Sequence, residues 1–316
     1  MKVAFAGVFA GHVADRVRAR LRIPCEVTLV DDREIGNVDV LVSMAFTREM
    51  AAAAPRLRLV QVPGAGLDRI DRAALAPGTA LANAYGHDVG IAEYVIGAML
   101  AITRSFCRLD AGLRRGRWDS VWSGAPVPLW PELAGKTLGI LGYGRIGQAV
   151  ARRALAFDMD VLAIRRDASR ADPHRLAFLR GPAALAEVLG RADYLAVTLA
   201  LTPDTRGLIG ARQLALMKPT AVLINVARGE VVDEDALYGA LHRGAIAGAA
   251  LDVWYRYPTG DAPVHPGHRP FHALPNVLMT PHVSGWTEGM MDARAGVIAE
   301  NIHRAARGEA PVNLVP

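Results

Sequence analysis

The chain has 316 residues, of which 52% are hydrophobic and 21% charged. This length and composition suit two domains with substantial cores and exclude an intrinsically disordered protein. A net charge of +5 at pH 7 suits anionic small ligands. The scattered arginines, without a zinc-finger, RNP or basic-zipper pattern, argue against a nucleic-acid partner.

The cysteine content and the N-terminal segment bear on the compartment. Cys25 and Cys107 are too few for a disulfide framework, which favours the reducing cytoplasm. The first apolar run is short and broken by glycine, so we interpret it as a strand rather than a signal peptide. No apolar stretch approaches the roughly 20 residues of a membrane helix. We therefore expect a cytoplasmic protein that does not span a membrane.

Short apolar runs alternate with helical patterns along the chain, which predicts an α/β fold of two doubly wound parallel sheets. The strand candidates are 3–5, 27–30, 38–42, 57–62 and 79–82, then 136–141, 161–164, 194–198, 221–225, 247–251 and 277–279. A long apolar helical stretch, 88–113, and a proline-containing connector, 125–131, separate the two series. We predict a flavodoxin-like substrate domain at 1–100 plus 285–316, a Rossmann domain at 101–284, and a cleft between them.

A glycine-rich turn follows the first strand of the second series and precedes a helical pattern. Gly142, Gly144 and Gly147 have the spacing of a dinucleotide-binding turn. There the glycines permit a tight turn, close approach of a pyrophosphate and close helix packing. We assign Gly142, Gly144, Arg145, Ile146 and Gly147 to cofactor binding.

The end of the next strand bears on the choice of cofactor. Arg165 and Arg166 stand where an acidic residue would bind the ribose 2′-hydroxyl of NAD. Guanidinium groups favour a 2′-phosphate instead, so we predict NADP. NAD stays open, since Asp167 is the alternative ribose ligand.

Segments 133–147, 201–205, 224–229, 251–253 and 280–285 closely resemble, in the same order, the D-isomer-specific 2-hydroxyacid dehydrogenase family, and in particular glyoxylate/hydroxypyruvate reductases. A weaker match at 65–66 and 92–93 extends the likeness to nearly the whole chain. The resemblance implies that Arg228 binds the substrate's carboxylate and keto oxygen, as a planar charged fork can. It implies that His282 is the general acid/base, for which a pKa near neutrality is suited. It also implies a homodimer.

One position departs from the family pattern. The glutamate that supports the catalytic histidine, just before a proline, is replaced here by Tyr257 before Pro258. A phenol can orient the imidazole but is neutral at pH 7, so it cannot stabilise a histidinium by charge. We therefore predict a lower pKa for His282 than in relatives with glutamate. The 252–254 segment also resembles the formate dehydrogenase branch, where a neutral glutamine takes this position.

Further roles follow from the resemblance. The 63–67 loop resembles the one whose backbone N–H groups hold the substrate carboxylate, which assigns Ala65 and Gly66 to substrate binding. His87 is a candidate substrate contact or a plain loop residue. Thr198, Ala227 and Asp252 are expected around the cofactor. His265, His268 and His272 do not form a helical metal site, because prolines interrupt the segment.

The sequence thus predicts an enzyme that transfers hydride between NAD(P)H, with NADPH favoured, and a small 2-keto or 2-hydroxy acid of D configuration. Two alternatives stay open. One is a dinucleotide-sensing, corepressor-like protein without turnover, which the missing glutamate keeps open. The other is formate-dehydrogenase-like oxidation of a small anion.

Overall fold

A computed structural model describes residues 1–31, 34–124, 127–170, 172–174, 176–260 and 262–315. The chain forms two compact units: unit 1 comprises Met1–His87 and Trp286–Pro316, and unit 2 comprises Asp88–Gly285. In chain order, the strands and α-helices of the described residues are β1 Lys2–Ala6, α1 Val8–Arg18, β2 Glu26–Val30, β3 Val40–Ser43, α2 Arg48–Ala53, β4 Leu59–Gln61, β5 Ala80–Ala82, α3 Asp88–Thr103, α4 Phe106–Leu113, β6 Thr137–Leu141, α5 Arg145–Ala156, β7 Asp160–Ile164, β8 Phe178–Arg180, α6 Leu185–Arg191, β9 Tyr194–Val197, α7 Ala211–Leu214, β10 Val222–Asn225, α8 Glu234–His242, β11 Gly248–Leu251, β12 Val277–Met279 and α9 Glu288–Arg307.

Unit 1 is built on a five-stranded parallel sheet with the order β2-β1-β3-β4-β5. The central strands are continuous apolar runs because helices cover both faces. Helices α1 and α9 pack on one face, where Phe5, Val13 and Ile298 share a core. Thr287 caps the start of helix α9, where its hydroxyl accepts from Met290 N, and Gly308 caps its end in the left-handed conformation.

Unit 2 is built on a seven-stranded parallel sheet with the order β12-β11-β10-β9-β6-β7-β8. The strand order reverses beside β6, and ligands of open α/β sheets bind at the carboxyl ends of the strands at such a point. The predicted doubly wound α/β fold of two parallel sheets is confirmed.

Helix α3 packs within unit 2. Its buried residues, such as Val95 and Met99, share a core with Leu138 and Ile140 of β6. The units therefore join in sequence after His87, whereas the boundary expected at residue 100 falls inside this helix. Apolar helix residues alone did not indicate which sheet they would cover.

We found no single helix in the described ranges that is long and apolar enough to cross a membrane. Helices α3 and α4 pass such a test only when taken together, and they are bent by 57°. Within the same ranges no three His, Cys, Asp or Glu side chains group as metal ligands. The rings of His265 and His272 are stacked, with 4.2 Å between their centroids.

Candidate active site

The glycine turn of unit 2 follows β6 and opens α5. Gly142 has φ +104°, and a Cβ there would lie 2.8 Å from the carbonyl oxygen of Thr198. A Cβ at Gly147 would collide with the carbonyl oxygen of Gly142, while a Cβ at Gly144 would meet no atom within 4 Å. The packing of the protein therefore explains the outer two glycines. The open space at Gly144 is what a bound pyrophosphate would need.

The start of α5 supplies hydrogen-bond donors beside this open space. Gly144 is the N-cap, so the N–H groups of the first helical turn, from Arg145 onward, lack intrahelical acceptors. Such groups and the helix dipole favour an anion. The Thr198 hydroxyl donates to Gly142 O at 2.8 Å and so stabilises the turn itself. The residues present fit a dinucleotide.

Arg165 and Arg166 directly follow β7, beside the glycine turn. The Arg165 guanidinium carbon lies 5.9 Å from the Tyr143 ring centroid, and Arg166 is exposed. The carboxylate of Asp167, the alternative ribose ligand, accepts from both the N–H and the hydroxyl of Ser169, at 3.1 and 2.6 Å. The hydroxyl bond in particular lowers the pKa of Asp167. This carboxylate is therefore engaged locally, next to two cationic side chains.

Tyr143 connects the glycine turn to the segment after β7, a link that the sequence did not indicate. Its side chain is 2% exposed and its hydroxyl donates to Asp172 Oδ1 at 2.7 Å. Burial is the main cause that raises the pKa of Tyr143. Asp172 also accepts from His174 N at 2.9 Å. The hydrogen bond between Tyr143 and Asp172 thereby connects the segment that follows the two arginines to the glycine turn.

Arg228 lies just beyond the end of β10, in a turn held by Asn225. The side-chain amide of Asn225 donates to Arg228 O at 2.9 Å, and its oxygen accepts from Ala227 N at 3.0 Å. The Arg228 guanidinium donates from Nη1 to Ala227 O at 2.8 Å. Asn225 is buried and was not assigned a role from the sequence. It sets the backbone from which the arginine extends.

His282 lies in the loop between β12 and α9, with a left-handed backbone at φ +58°. Such a conformation is uncommon for residues other than glycine. The Nδ1 atom is 2.8 Å from the hydroxyl oxygen of Tyr257, the residue at the usual glutamate position. The structure therefore brings together the histidine and the tyrosine that the sequence singled out.

The Tyr257 oxygen also contacts a third residue. It accepts a hydrogen bond from Trp254 N at 3.3 Å, and its second lone pair can accept an Nδ1–H of His282. With its proton on Nδ1, the neutral imidazole has a free lone pair on Nε2, whereas the imidazolium carries a proton there as well. Burial raises the pKa of Tyr257, so the phenol stays protonated at neutral pH. In this arrangement Nε2 is a base in the neutral imidazole and an acid in the imidazolium.

Asp252 holds the loop that carries His282. It is fully buried, and its two oxygens accept from Val283 N at 2.9 Å and Ser284 N at 2.8 Å. The Thr280 hydroxyl donates to the same carboxylate at 2.6 Å and accepts from Tyr94 at 2.7 Å. Burial raises the pKa of Tyr94 to about 12. These bonds give Asp252 a positioning role that its predicted place beside the cofactor did not include.

Unit 1 contains the loop assigned to the substrate carboxylate. The side-chain amide of Asn83 donates to Ala65 O at 3.1 Å, and Ala84 N donates to Gly64 O at 3.1 Å. Among the described residues the N–H groups of Ala65 and Gly66 have no hydrogen-bond acceptor. Two adjacent donors at the end of a strand suit a carboxylate. His87, partly buried, is the last residue of this part of unit 1.

Comparison with known proteins gives a consistent match. The family model for the D-isomer specific 2-hydroxyacid dehydrogenase, NAD binding domain, matches residues 96–284. A glyoxylate reductase of Thermococcus gammatolerans is 37% identical over 303 residues, which cover 93% of this chain and 86% of that protein. A D-3-phosphoglycerate dehydrogenase of Methanocaldococcus jannaschii is 37% identical over 300 residues, or 89% of this chain. The chain spans about half (52%) of the length of this second relative.

A solved structure extends the match to the fold of the full chain. It is an NADPH-dependent glyoxylate/hydroxypyruvate reductase of Sinorhizobium meliloti in complex with NADP and malonate. The TM-score is 0.80 at 29% identity, over 99% of this chain and 96% of that one. Together with the glycine turn and the His282 loop, these matches show that the chain belongs to the D-isomer specific 2-hydroxyacid dehydrogenase family and is an NAD(P)-dependent oxidoreductase.

Proposed function

We propose that the protein reduces small 2-keto acids to D-2-hydroxy acids with NADPH. The observation that carries this proposal is the 2.8 Å contact between Tyr257 and His282 Nδ1, in a loop fixed by buried Asp252. It supplies an oriented proton donor of the kind that carbonyl reduction needs. The relatives named glyoxylate reductase support substrates of this size.

In the proposed reaction each residue acts at a defined atom. When bound, the nicotinamide supplies the hydride at its C4. Arg228 binds the carboxylate and keto oxygen of the substrate and polarises the carbonyl. The N–H groups of Ala65 and Gly66 bind the same carboxylate. His282, as the imidazolium, gives its Nε2 proton to the oxygen, which becomes the hydroxyl of the product, and is left as the neutral imidazole.

Tyr257 acts on this reaction through His282. Its hydroxyl fixes the tautomer and the ring orientation, but adds no negative charge beside the imidazole. The imidazolium is therefore less stabilised than it would be by a carboxylate. We propose that this lowers the pH range in which the residue serves as an acid and favours its role as a base.

The cofactor preference is proposed to follow from Arg165 and Arg166. Their position after β7, next to a carboxylate already bonded to Ser169, favours the 2′-phosphate of NADP. Asp252 and Ala227, together with Thr198, are proposed to shape the rest of the cofactor site. The hydrogen bond from the Tyr143 hydroxyl to Asp172 holds the segment that follows these two arginines.

We also propose a homodimer in the cytoplasm. Large apolar side chains are exposed between α4 and β6, where Trp118 is 58%, Trp122 is 87% and Leu129 is 98% exposed. Contact with a second copy would remove this surface from water. Cys25 and Cys107 are free thiols, which suits a reducing compartment. Light scattering measures the molar mass of the purified protein; we expect the mass of a dimer, and the mass of a monomer would contradict this proposal.

The function is tested with purified protein, NADPH or NADH, and a panel containing glyoxylate, hydroxypyruvate and pyruvate. We expect NADPH consumption and a D product from prochiral substrates. His282→Gln should lose about 100-fold or more in kcat. His265→Asn is the matched control, since His265 is exposed and lies outside the proposed site; it should keep wild-type activity.

Other outcomes favour the alternatives. Tight NADPH binding with no turnover of any 2-keto acid would favour a dinucleotide-sensing protein. Reduction of NADP by formate, without any reduction of 2-keto acids by NADPH, would favour an enzyme that oxidises a small anion. Either result would contradict the proposed function.

A further inference from the structure

Helix α9 carries a buried cation without a counter-ion. Arg294 is 7% exposed, and its Nε is buried without a hydrogen-bond partner. No hydrogen bond or ion pair joins its guanidinium to any other described residue. Burial alone lowers the pKa of Arg294 to about 10. Removal of a charge from water without compensation destabilises a fold, so this group needs an anion from elsewhere.

Arg294 lies at the ligand-binding edge of the unit 1 sheet. Its guanidinium carbon is 5.3 Å from the ring centroid of Phe9, which follows β1. Its Nη2 atom is 4.0 Å from the point that a Cβ of Gly64 would occupy, and Gly64 follows β4. Open α/β sheets bind ligands beyond the carboxyl ends of their strands. The cation therefore adjoins the loop whose Ala65 and Gly66 donors lack acceptors.

Two apolar side chains lie near the guanidinium or beside the neighbouring glycine. Phe9 lies against it, and Met44 lies 3.3 Å from the same Gly64 Cβ position. Neighbouring core positions of α9 are filled by Met290 and Ile298. A methionine at 294 would fill similar space without desolvating a charge. Because low-dielectric surroundings strengthen electrostatic attraction, an anion that reached Arg294 would be bound firmly.

We propose that Arg294 binds a second anionic group, a carboxylate or a phosphate, on a substrate whose own carboxylate is held by Ala65 and Gly66. The planar guanidinium fork matches both groups in a bidentate manner. Gly64 has no side chain that would crowd Nη2, whereas a Cβ there would lie 4.0 Å from Nη2 and 3.3 Å from Met44. The preferred substrates are then 2-keto acids with two anionic groups. The identity of the reaction rests on the proposed function, whereas the anion site stands on unit 1 alone.

The test compares substrates with one and two anionic groups. The probes are glyoxylate, oxaloacetate and phosphohydroxypyruvate, assayed with the wild type and with Arg294→Met. The wild type should prefer one of the doubly charged substrates, and the preferred one identifies the second group. Arg294→Met should lose about 30-fold or more in kcat/KM on that substrate, as for the loss of one partner of a buried charge pair. Its kcat/KM for glyoxylate should change by less than about threefold, because glyoxylate has no second anionic group for Arg294 to bind.

A binding measurement separates an anion site from a packing role. Malonate should raise the Tm of the wild type more than acetate does, and this difference should vanish in Arg294→Met. Without added anion, Arg294→Met should have the higher Tm, because it removes a buried unpaired charge. Arg307→Met is the matched control, since it removes an exposed arginine of the same helix that pairs with Glu309; it should retain the malonate effect.

The outcomes distinguish the two proposals. Equal loss on all substrates, no loss on any, or an unchanged malonate effect in Arg294→Met would overturn the anion site. A wild type that reduces glyoxylate but neither doubly charged probe would overturn it too, and would leave the proposed function intact. If no 2-keto acid is reduced, the proposed function fails, and the malonate measurement alone decides the anion site.

Discussion

Replacement of Tyr257 by glutamate tests how the neutral phenol sets the pH dependence of the reaction. The tyrosine hydroxyl is 2.8 Å from His282 Nδ1, so a carboxylate at this position would lie close to the imidazolium. Opposite charges about 4 Å apart interact by roughly 4 kcal/mol at an effective dielectric constant of about 20. Tyr257 is 46% exposed, so solvent screens much of this interaction. We expect about 1.4 kcal/mol to remain, which equals a rise of about one pH unit in the titration of His282.

The raised pKa of His282 should appear on a different limb of the pH profile in each reaction direction. Oxidation of a D-2-hydroxy acid needs neutral His282 as the base, so its acidic limb should move up by about one unit in Tyr257→Glu. Reduction needs the imidazolium as the acid, so its alkaline limb should move up by a similar amount. The measurement is kcat/KM against pH in both directions.

Tyr257→Gln is the matched control, because glutamine has the size of glutamate without its charge. It should leave both limbs within about 0.3 units of the wild type, since no charge is added. A profile of Tyr257→Glu that coincides with that of Tyr257→Gln would show that the residue at 257 does not act on His282 electrostatically.

Three further predictions concern the cofactor turn and the histidine loop. Gly144→Ala should raise the Kd for NADPH at least about tenfold with little change in Tm, because its Cβ meets only the space for the pyrophosphate. Gly147→Ala should instead lower the Tm. Equal Kd values for Gly144→Ala and the wild type would contradict pyrophosphate binding at this turn. Arg165→Ala should reduce the NADPH-over-NADH ratio of kcat/KM by about tenfold or more, as loss of a charged hydrogen bond does; an unchanged ratio would remove Arg165 from phosphate binding. Asp252→Asn should lower kcat by about tenfold or more through displacement of the His282 loop, with a smaller change in the Kd for NADPH; an effect confined to that Kd would assign the residue to the cofactor instead.

The fold was predictable because strand and helix periods alternate clearly in this chain. Continuous apolar runs such as those of β6 and β10 are typical of buried parallel strands. The boundary between the two units was harder to predict, because α3 is apolar on most faces and its sequence does not indicate which sheet it covers. The packing of Val95 and Met99 against β6 answers that question.

The candidate site was predictable where a residue belongs to a motif, as for Arg228 and His282. The contacts that hold these residues come from distant positions, which one sequence does not relate. Asp252 is 31 residues from Val283, and Tyr94 is 186 residues from Thr280.

Arg294 lies in a helical pattern in which an arginine is expected to face solvent, and only the structure shows it buried. The one signal in the sequence is a charged residue at a core position of the helix.

The fate of the transferred hydride tests the proposed reaction most directly. NADPH that carries deuterium in place of both hydrogens at C4 is incubated with hydroxypyruvate, and the product is analysed for deuterium and configuration. We expect deuterium at C2 of a D product with the wild type, and a loss of about 100-fold or more in its rate of formation with His282→Gln. A product without deuterium at C2, or an equal rate in His282→Gln, would contradict the proposed hydride transfer.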